Sequence, residues 1–352
     1  MEDSFLKYNY FKNINLNDPF FDSLKQDYEE FEDWFRSKGN KKAYYYENNE
    51  GIQAFLYLKI EAEELKDTDP QFPFEKRIKI GTLKINPHGT KLGERFIKKA
   101  IDHAVDNDIK ELYVTVFPKH KSLIALLEKY GFTIKGKKKT KNGIENMMFK
   151  RFDELTGDIV KDYPVVKTSN NKIYLLGIYP QYHTKMFPDS ILDNESYDLV
   201  KDVSHTNSIQ KIYICFMKRA ASIKKGDIIV IYRTKDEKGP AEYRSVATSV
   251  CVVEDKKLKS DFNDFESYYS YCKKHSVFSD EELHKMYAKE NLVVLKMTYN
   301  LAMEKRLIRK TLIEDCGLDR DEYWGIMSIE DYQFNNIVKL GGINESFIVN
   351  QA

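Results

Sequence analysis

Apolar and polar positions over the first 152 residues switch repeatedly between a period of two and a period of three to four, which predicts alternating strands and helices. Tyr8 to Ile14 reads as a short strand. Asp18-Pro19 then opens a helix, with an acid at the capping position and proline at the first helical one. Phe20, Phe21, Leu24, Tyr28, Phe31, Trp34 and Phe35 recur at helical spacing, so one face of it is buried. Ala43 to Tyr46 and Gln53 to Ile60 read as strands joined by the turn Asn48-Asn49-Glu50-Gly51. The charged stretch Glu61 to Pro70 reads as loop, and Arg77 to Ile85 as a strand kinked near Gly81. A helix follows with Phe96, Ile97, Ala100, Ile101 and Ala104 on its apolar face, then a strand from Glu111 to Phe117. Lys121 to Tyr130 is a helix closed by Gly131, and Phe132 to Lys135 pairs with Ile144 to Phe152 around Asn142-Gly143.

Residues 153–171 are polar and aperiodic around Tyr163-Pro164-Val165-Val166 and read as a linker. Strands dominate beyond it: Ile173 to Tyr179, Ile209 to Phe216, Asp227 to Arg233, Ser245 to Val253 and Leu292 to Tyr299. Helical patterns occupy Phe262 to Lys274, Asp280 to Lys289, Ile308 to Cys316 and Ile329 to Val338. The expectation is an α+β chain of two domains, 1–152 and 172–352, the first a mixed sheet flanked by helices, the second a small β-barrel with inserted helices.

Length and charge narrow this picture. The 352 residues fit two domains of roughly 150 residues each. No apolar run approaches the roughly 20 residues of a membrane-spanning helix, and Met1 to Phe5 lacks the basic-then-apolar order of a secretory leader, so a cytoplasmic protein is expected. Fifty-six basic against 55 acidic residues exclude a uniformly basic coat for nucleic acid; any electrostatic attraction is local. Cys215, Cys251, Cys272 and Cys316 lie far apart without a C-x-x-C pair, so reduced, structural thiols and no metal site are expected.

The segment Asn86-Pro87-His88-Gly89-Thr90-Lys91-Leu92-Gly93-Glu94 links a strand to a helix start. Amides at such a start lack internal partners and the helix dipole adds positive charge, which together welcome phosphate. This turn, the element order and the ending Leu126-Leu127-Glu128-Lys129-Tyr130-Gly131-Phe132 resemble the GNAT acetyltransferase superfamily over about residues 5–152. In that family the turn reads Arg/Gln-x-x-Gly-x-Gly/Ala and its amides hold the pyrophosphate of acetyl-CoA. His88 takes the Arg/Gln place, Lys91 that of the first glycine and Gly93 that of the last, with Gly89 a glycine commonly seen between. The resemblance implies acetyl-CoA as cofactor, held by Leu83, Ile85, His88, Gly89, Thr90, Lys91, Leu92, Gly93 and Glu94. Lys91 either directs its ammonium at a phosphate or crowds the backbone that the ligand should touch.

Leu127 stands where the family often has a tyrosine that protonates the thiolate, and His120 where an asparagine often opens the helix. The acceptor amine needs a base, yet Arg77 to Ile85 holds no carboxylate. Glu61 and His120 are the catalytic candidates, with Glu63, Glu64 and Glu75 behind them.

In the second half Lys224-Lys225-Gly226-Asp227, the run Ile228 to Arg233, the strand ending Val250-Cys251-Val252-Val253-Glu254, and Trp324 to Ile329 resemble the PUA-like barrels, taken broadly to include the ASCH and EVE groups. The Gly-x-Lys-x-x-Glu-x-Arg signature associated with ASCH domains is absent. The resemblance implies binding of RNA or a modified base. Seven basic residues and one acid between His205 and Lys235 agree with it, interleaved with aromatic rings that offer stacking faces. Lys211, Tyr213, Lys218, Arg219, Lys224, Lys225, Tyr232 and Arg233 are the candidate contacts, with His205 and Asn207 as candidates for a base edge. The basic run Lys135 to Lys141 is a candidate extension.

Two functions are expected on this basis. One is an N-acetyltransferase directed to RNA, such as tRNA, or to an RNA-associated amine, in a layout resembling bacterial toxin and antitoxin fusions. The other is a non-catalytic nucleic-acid-binding protein with a degenerate acetyltransferase fold.

Overall fold

The computed structural model describes residues 6–86, 91–187 and 208–350. The chain divides into two compact units, Met1–Thr156 and Gly157–Ala352, and both mix helices with sheets, an α+β chain.

Unit 1 is one seven-stranded sheet in the order β1-β2-β3-β4-β5-β7-β6. Its strands are β1 (Leu6–Tyr10), β2 (Lys42–Asn48), β3 (Gly51–Leu65), β4 (Phe72–Ile85), β5 (Glu111–Val116), β6 (Thr133–Thr140) and β7 (Gly143–Arg151). The expected long helix after Asp18 is instead a 3-10 turn (Pro19–Phe21), α1 (Asp22–Asp27) and α2 (Phe31–Ser37), interrupted at Tyr28, whose backbone is extended. Asp18 caps as expected, its side chain accepting from the Phe20 amide at 2.9 Å. The apolar periodicity still marks a buried face: Phe20, Phe21, Phe31 and Phe35 pack with Phe11 and Phe55 in one aromatic core. The charged stretch after Glu61 is strand rather than loop as far as Leu65, because β3 and β4 pair along a long hairpin that sets Glu61 opposite Arg77.

Helix α3 (Leu92–Asp106) buries Phe96, Ile97, Ala100, Ile101 and Ala104, and α4 (Lys121–Lys129) ends before Gly131, whose φ of +85° is the left-handed conformation a helix stop favours.

Unit 2 starts inside the expected linker. Tyr163 is fully buried, the Asn300 side chain donates to the carbonyls of Pro164 (3.1 Å) and Val165 (3.2 Å), and β8 (Val166–Lys167) pairs in parallel with Ile348–Val349. Its main sheet contains β9 (Ile173–Ile178), β10 (Gln210–Cys215), β11 (Ile228–Arg233), β12 (Val246–Leu258), β13 (Val293–Ile308) and β14 (Ile326–Ile329); the pair to β8 is β15 (Ile348–Val349). The order β10-β13-β12-β11-β9-β14 leaves β10 and β14 unpaired with each other, so the expected closed barrel is an open sheet. The edge strand β10 is occupied otherwise. Its Ile212 amide donates to the His275 carbonyl at 3.0 Å, and Ile212 and Ile214 lie under α7 (Phe265–Lys273) and α8 (Asp280–Tyr287). Among the described residues the further helices of this unit are α5 (Pro180–Met186), α6 (Ala241–Arg244), α9 (Arg309–Glu314) and α10 (Asp331–Leu340).

Among the described residues no helix is long and apolar enough to cross a membrane. All four cysteines are buried and free, and burial pushes the Cys215 and Cys316 thiols up to about 11.

Candidate functional site

Strands β4 and β5 run parallel and pair through Ile78 and Leu112, Lys79 and Tyr113, and Ile80 and Val114. Beyond Ile80, β4 stays with β3, Leu83 opposite Leu56 and Ile85 opposite Ala54, while Thr115 and Val116 of β5 stay with Met147 and Asn146 of β7. The two strands therefore part. The cause is local: the register of β3 against β4 slips at Tyr57, leaving Gly81 as the extra residue. A Cβ on Gly81 would lie 2.8 Å from Cδ1 of the Tyr57 ring, so only glycine lets the strand pass so close.

A cavity of about 340 Å³ opens at this parting, with Gly81, Leu83 and Val116 among its walls. Glu61 and His120, distant in sequence, both line it. Glu61 is 7% exposed and accepts hydrogen bonds from the Tyr113 hydroxyl and, at 2.9 Å, from Lys59 Nζ; Lys79 Nζ lies 3.7 Å away. Burial works to raise its pKa, but these donors outweigh it and hold the carboxyl below its ordinary value. It is thus a stabilised anion, poorly suited to take a proton. Burial in turn lowers the Lys79 ammonium from its usual range.

His120 occupies the N-cap position of α4, and its Nε2 lies 2.9 Å from Oδ2 of Asp27, the last residue of α1, whose other oxygen is ion-paired with Lys119. A donor bond from Nε2 to Asp27 leaves the lone pair on Nδ1, the tautomer that a base requires. The cavity also holds a pair that the sequence did not suggest. The Tyr28 hydroxyl donates to Oε1 of Glu145 at 2.5 Å, and Glu145 is 3% exposed. The two are 117 positions apart, so no spacing rule joins them. The available signal was an acid on the same strand face as Met147 and Phe149, both of them core.

The expected cofactor contacts divide. Leu83 lines the cavity and Ile85 is half-buried on β4. His88, Gly89 and Thr90, and with them the turn itself, lie outside the described residues. Lys91 is the N-cap residue of α3 and is buried, as are Leu92 and Glu94. Gly93 is helical; a Cβ there would lie 2.8 Å from Leu126 of α4 and 3.6 Å from Ile85, so this glycine serves close helix packing.

Unit 2 contains an aromatic cavity of about 840 Å³ walled by Tyr179, Tyr182, Tyr213, Phe216, Tyr232 and Trp324. The Arg309 guanidinium lies 4.3 Å from the Trp324 ring, and Arg309 Nε and Thr234 Oγ1, both in the wall, are buried with no hydrogen-bond partner among the described residues. Of the expected nucleic-acid contacts, Tyr213 and Tyr232 line this cavity. Lys211 (2% exposed, between the rings of Phe187 and Tyr299) and Arg233 (5% exposed) are interior, so they add nothing to a surface track. Lys218, Arg219, Lys224 and Lys225 are exposed, with Arg219 ion-paired to Glu322. His205 and Asn207 lie outside the described residues. Of the candidate extension, Lys138 lines the unit 1 cavity and Lys141 pairs with Glu30 at 3.3 Å. Among the described residues no group of three or more His, Cys, Asp or Glu side chains is placed to hold a metal.

No protein-family model and no curated protein matches the chain. Solved structures similar to parts of it include both ASCH proteins and GNAT acetyltransferases. The ASCH protein of Zymomonas mobilis is 9% identical, with 48% of this chain and 95% of that one covered and a TM-score of 0.34. A GNAT family acetyltransferase from Elizabethkingia anophelis, solved with acetyl-CoA bound, is 14% identical, with 43% of this chain and 99% of that one covered and a TM-score of 0.30. A GNAT family acetyltransferase from Streptococcus agalactiae is 12% identical, with 35% and 73% covered and a TM-score of 0.28.

Proposed function

We propose that unit 1 transfers an acetyl group from acetyl-CoA to an amine, and that unit 2 directs this transfer to RNA or to an RNA-associated acceptor. The observation that carries the reading is the parting of β4 from β5 over a cavity lined by His120, itself oriented by Asp27. Bound acetyl-CoA supplies an activated acetyl thioester. Backbone groups of β4 beyond Ile80, released from β5, suit the amides of an extended thioester arm, and Leu83 offers an apolar contact. His120 would take the proton that the acceptor ammonium must lose before its nitrogen bonds to the acyl carbon; the carbon–sulfur bond would then break, CoA would leave as its thiolate, and that thiolate would take the second proton released from the nitrogen. Positioning within the cavity supplies much of the remaining rate, so an enzyme nucleophile is unnecessary.

The aromatic cavity of unit 2 supports the second half of the proposal. Tyr and Trp faces stack on any base, and the unpartnered Arg309 Nε and Thr234 Oγ1 suit acceptors on a base edge.

Calorimetric titration of acetyl-CoA into the full chain, followed by an acetyl-transfer assay, tests the reading. Saturable binding and CoA release dependent on an amine support it. Absence of binding at millimolar acetyl-CoA rejects it in favour of a non-catalytic, nucleic-acid-binding protein.

A further inference from the structure

The outer strands β1 and β2 of unit 1 turn one face to the core and the other to solvent. Side chains alternate across a strand, so Ala43 and Tyr45 enter the aromatic core while Tyr8, Tyr10, Tyr44 and Tyr46 take the opposite face. A solvated sheet face ordinarily carries polar residues. Here Tyr8 is 52% exposed and Tyr10 39%, and Tyr8 stacks on Tyr44, its partner in the register, with ring centroids 4.3 Å apart. Helix α3 packs on β3, β4 and β5 and leaves the rings of β1 uncovered. An ammonium accompanies three of the rings. Lys42 Nζ lies 5.3 Å from the centroid of Tyr8 and 4.9 Å from that of Tyr10, Lys12 Nζ 5.4 Å from Tyr10, and Lys99 Nζ of α3 5.3 Å from Tyr44. Among the described residues none of these three lysines has a carboxylate within 4.0 Å. The acids felt by Tyr44 are Asp106 and Asp102 of α3, and Asp102 is taken up by Lys98 at 2.7 Å. Among the described residues none of β1 or β2 lines the cavity of unit 1, so this surface is separate from it.

Exposed rings beside cations that lack a carboxylate match a strand of nucleotides, whose bases offer flat faces and whose phosphates recur between them. A protein surface fits less well, because lysine is depleted from protein interfaces. We propose that this face of β1 and β2 binds single-stranded nucleic acid, with bases stacked on Tyr8 and Tyr10 and phosphates met by Lys12, Lys42 and Lys99. A base that stacks on Tyr8 or Tyr10 displaces Lys42 from the ring toward the adjoining phosphate. That exchanges a cation–ring contact, weak at an exposed site, for a charge-assisted one. The surface requires neither the aromatic cavity of unit 2 nor bound acetyl-CoA. RNA and single-stranded DNA offer the same faces and phosphates, so both serve as probes.

The test is fluorescence anisotropy of labelled oligouridine and oligothymidine strands, about twelve nucleotides long, titrated with the full chain. The proteins compared are the wild type, Tyr8→Ala with Tyr10→Ala, Tyr8→Phe with Tyr10→Phe, Lys12→Ala with Lys42→Ala, and Trp324→Ala. The wild type binds at least one strand, and the strand bound more tightly identifies the source. The alanine pair weakens binding at least about fivefold, the low end for a lost base stack, and the phenylalanine pair, which keeps the rings, recovers most of that loss. The lysine pair reduces the slope of log affinity against log salt by up to about 2. Melting temperatures close to the wild type show that the variants are folded. Failure of the wild type to bind either strand overturns the proposal, as does equal affinity in the wild type and the alanine pair. An alanine pair that changes the oligomeric state without changing that affinity assigns the face to a second copy of the chain instead. Loss in the alanine pair but not in Trp324→Ala upholds this surface and rejects the unit 2 contact, the reverse pattern does the opposite, and loss in both upholds both.

Discussion

The guanidinium of Arg77 is ion-paired with the carboxylate of Glu111 across β4 and β5, with both side chains buried, at the end of the pairing opposite the cavity. Arg77 also donates to the carbonyls of Glu63 (3.0 Å) and Pro73 (2.8 Å), and Glu111 accepts from Arg151 of β7 at 2.8 Å. Four neighbouring strands are thus tied at the closed end, while three residues further along the pairing stops. Arg77→Met leaves Glu111 buried with Arg151 as its remaining cation. The expected loss is about 3–5 kcal/mol, the usual consequence of removing one partner from a buried pair. Urea unfolding followed by Trp34 fluorescence, in a Trp324→Phe background, reads it. A loss under about 1 kcal/mol would show the pair to be screened rather than buried.

Gly81 makes the parting possible, and Gly81→Ala tests this directly. The new methyl meets the Tyr57 ring at 2.8 Å, and its next neighbours are another atom of that ring at 3.3 Å and the Tyr57 carbonyl at 3.6 Å. Accommodating it costs about 1–3 kcal/mol and displaces the ring that lines the cavity. Gly81→Ala combined with Tyr57→Leu is expected to recover most of that stability, as measured in the same urea experiment. Failure of the second substitution to help would place the strain in the backbone instead.

Glu61 makes stability depend on acid pH. Its carboxyl is lowered in the folded protein from an ordinary 4.5. The unfolded chain therefore binds this proton first as pH falls, so the contribution of Glu61 is complete above about pH 4.5 and is lost as pH drops through the lowered folded value. Glu61→Gln is less stable at pH 7 and has a flatter acid limb below pH 4.5 in unfolding free energies measured from pH 3 to 7. Parallel limbs in the two proteins would contradict the assignment.

Much of this arrangement follows from local rules that a sequence displays. The hairpin at Asn142-Gly143 closes with Gly143 at a φ of +131°, the Asp18 cap forms, and α3 buries the five apolar residues its spacing marks. The helix expected to run through Tyr28 breaks there, and the same break sets the Tyr28 hydroxyl on Glu145. Helical periodicity carries no trace of such a break, since the apolar residues on either side share one core. The open edge of the unit 2 sheet is equally invisible to local spacing: β10 lies under α7 and α8, and its Ile212 amide donates to the His275 carbonyl. The close approach of Leu126, 33 positions away, to Gly93 is likewise outside any local pattern.

If His120 is the base, its removal costs a factor of about 10² to 10⁴ in kcat, the usual range for a positioned proton acceptor. His120→Asn keeps the size and polarity and loses the proton chemistry. Asp27→Asn costs less, because Lys119 and the ring remain and only the preferred tautomer is lost. The two residues act as a unit, so the double variant is expected to be little worse than His120→Asn alone. Steady-state acetyl transfer with a saturating amine checks this. Additive losses in the double variant would separate the pair into two unrelated roles.

The two kinds of contact proposed for RNA in unit 2 respond differently to salt. Stacking on Trp324 involves no counterion, whereas Lys224 and Lys225 are exposed charges that release ions when they meet phosphate. Trp324→Ala is therefore expected to weaken binding of a single-stranded oligoribonucleotide by about 1–3 kcal/mol at every salt concentration. The plot of log affinity against log salt keeps its slope. Lys224→Ala with Lys225→Ala weakens binding less at high salt than at low salt and reduces that slope by up to about 2. Fluorescence anisotropy over 50 to 300 mM salt separates the two patterns. A Trp324→Ala protein that binds RNA as the wild type does would leave the aromatic cavity for some other ligand and confine RNA to the lysine surface, because a ring stacked on a base cannot be removed without loss.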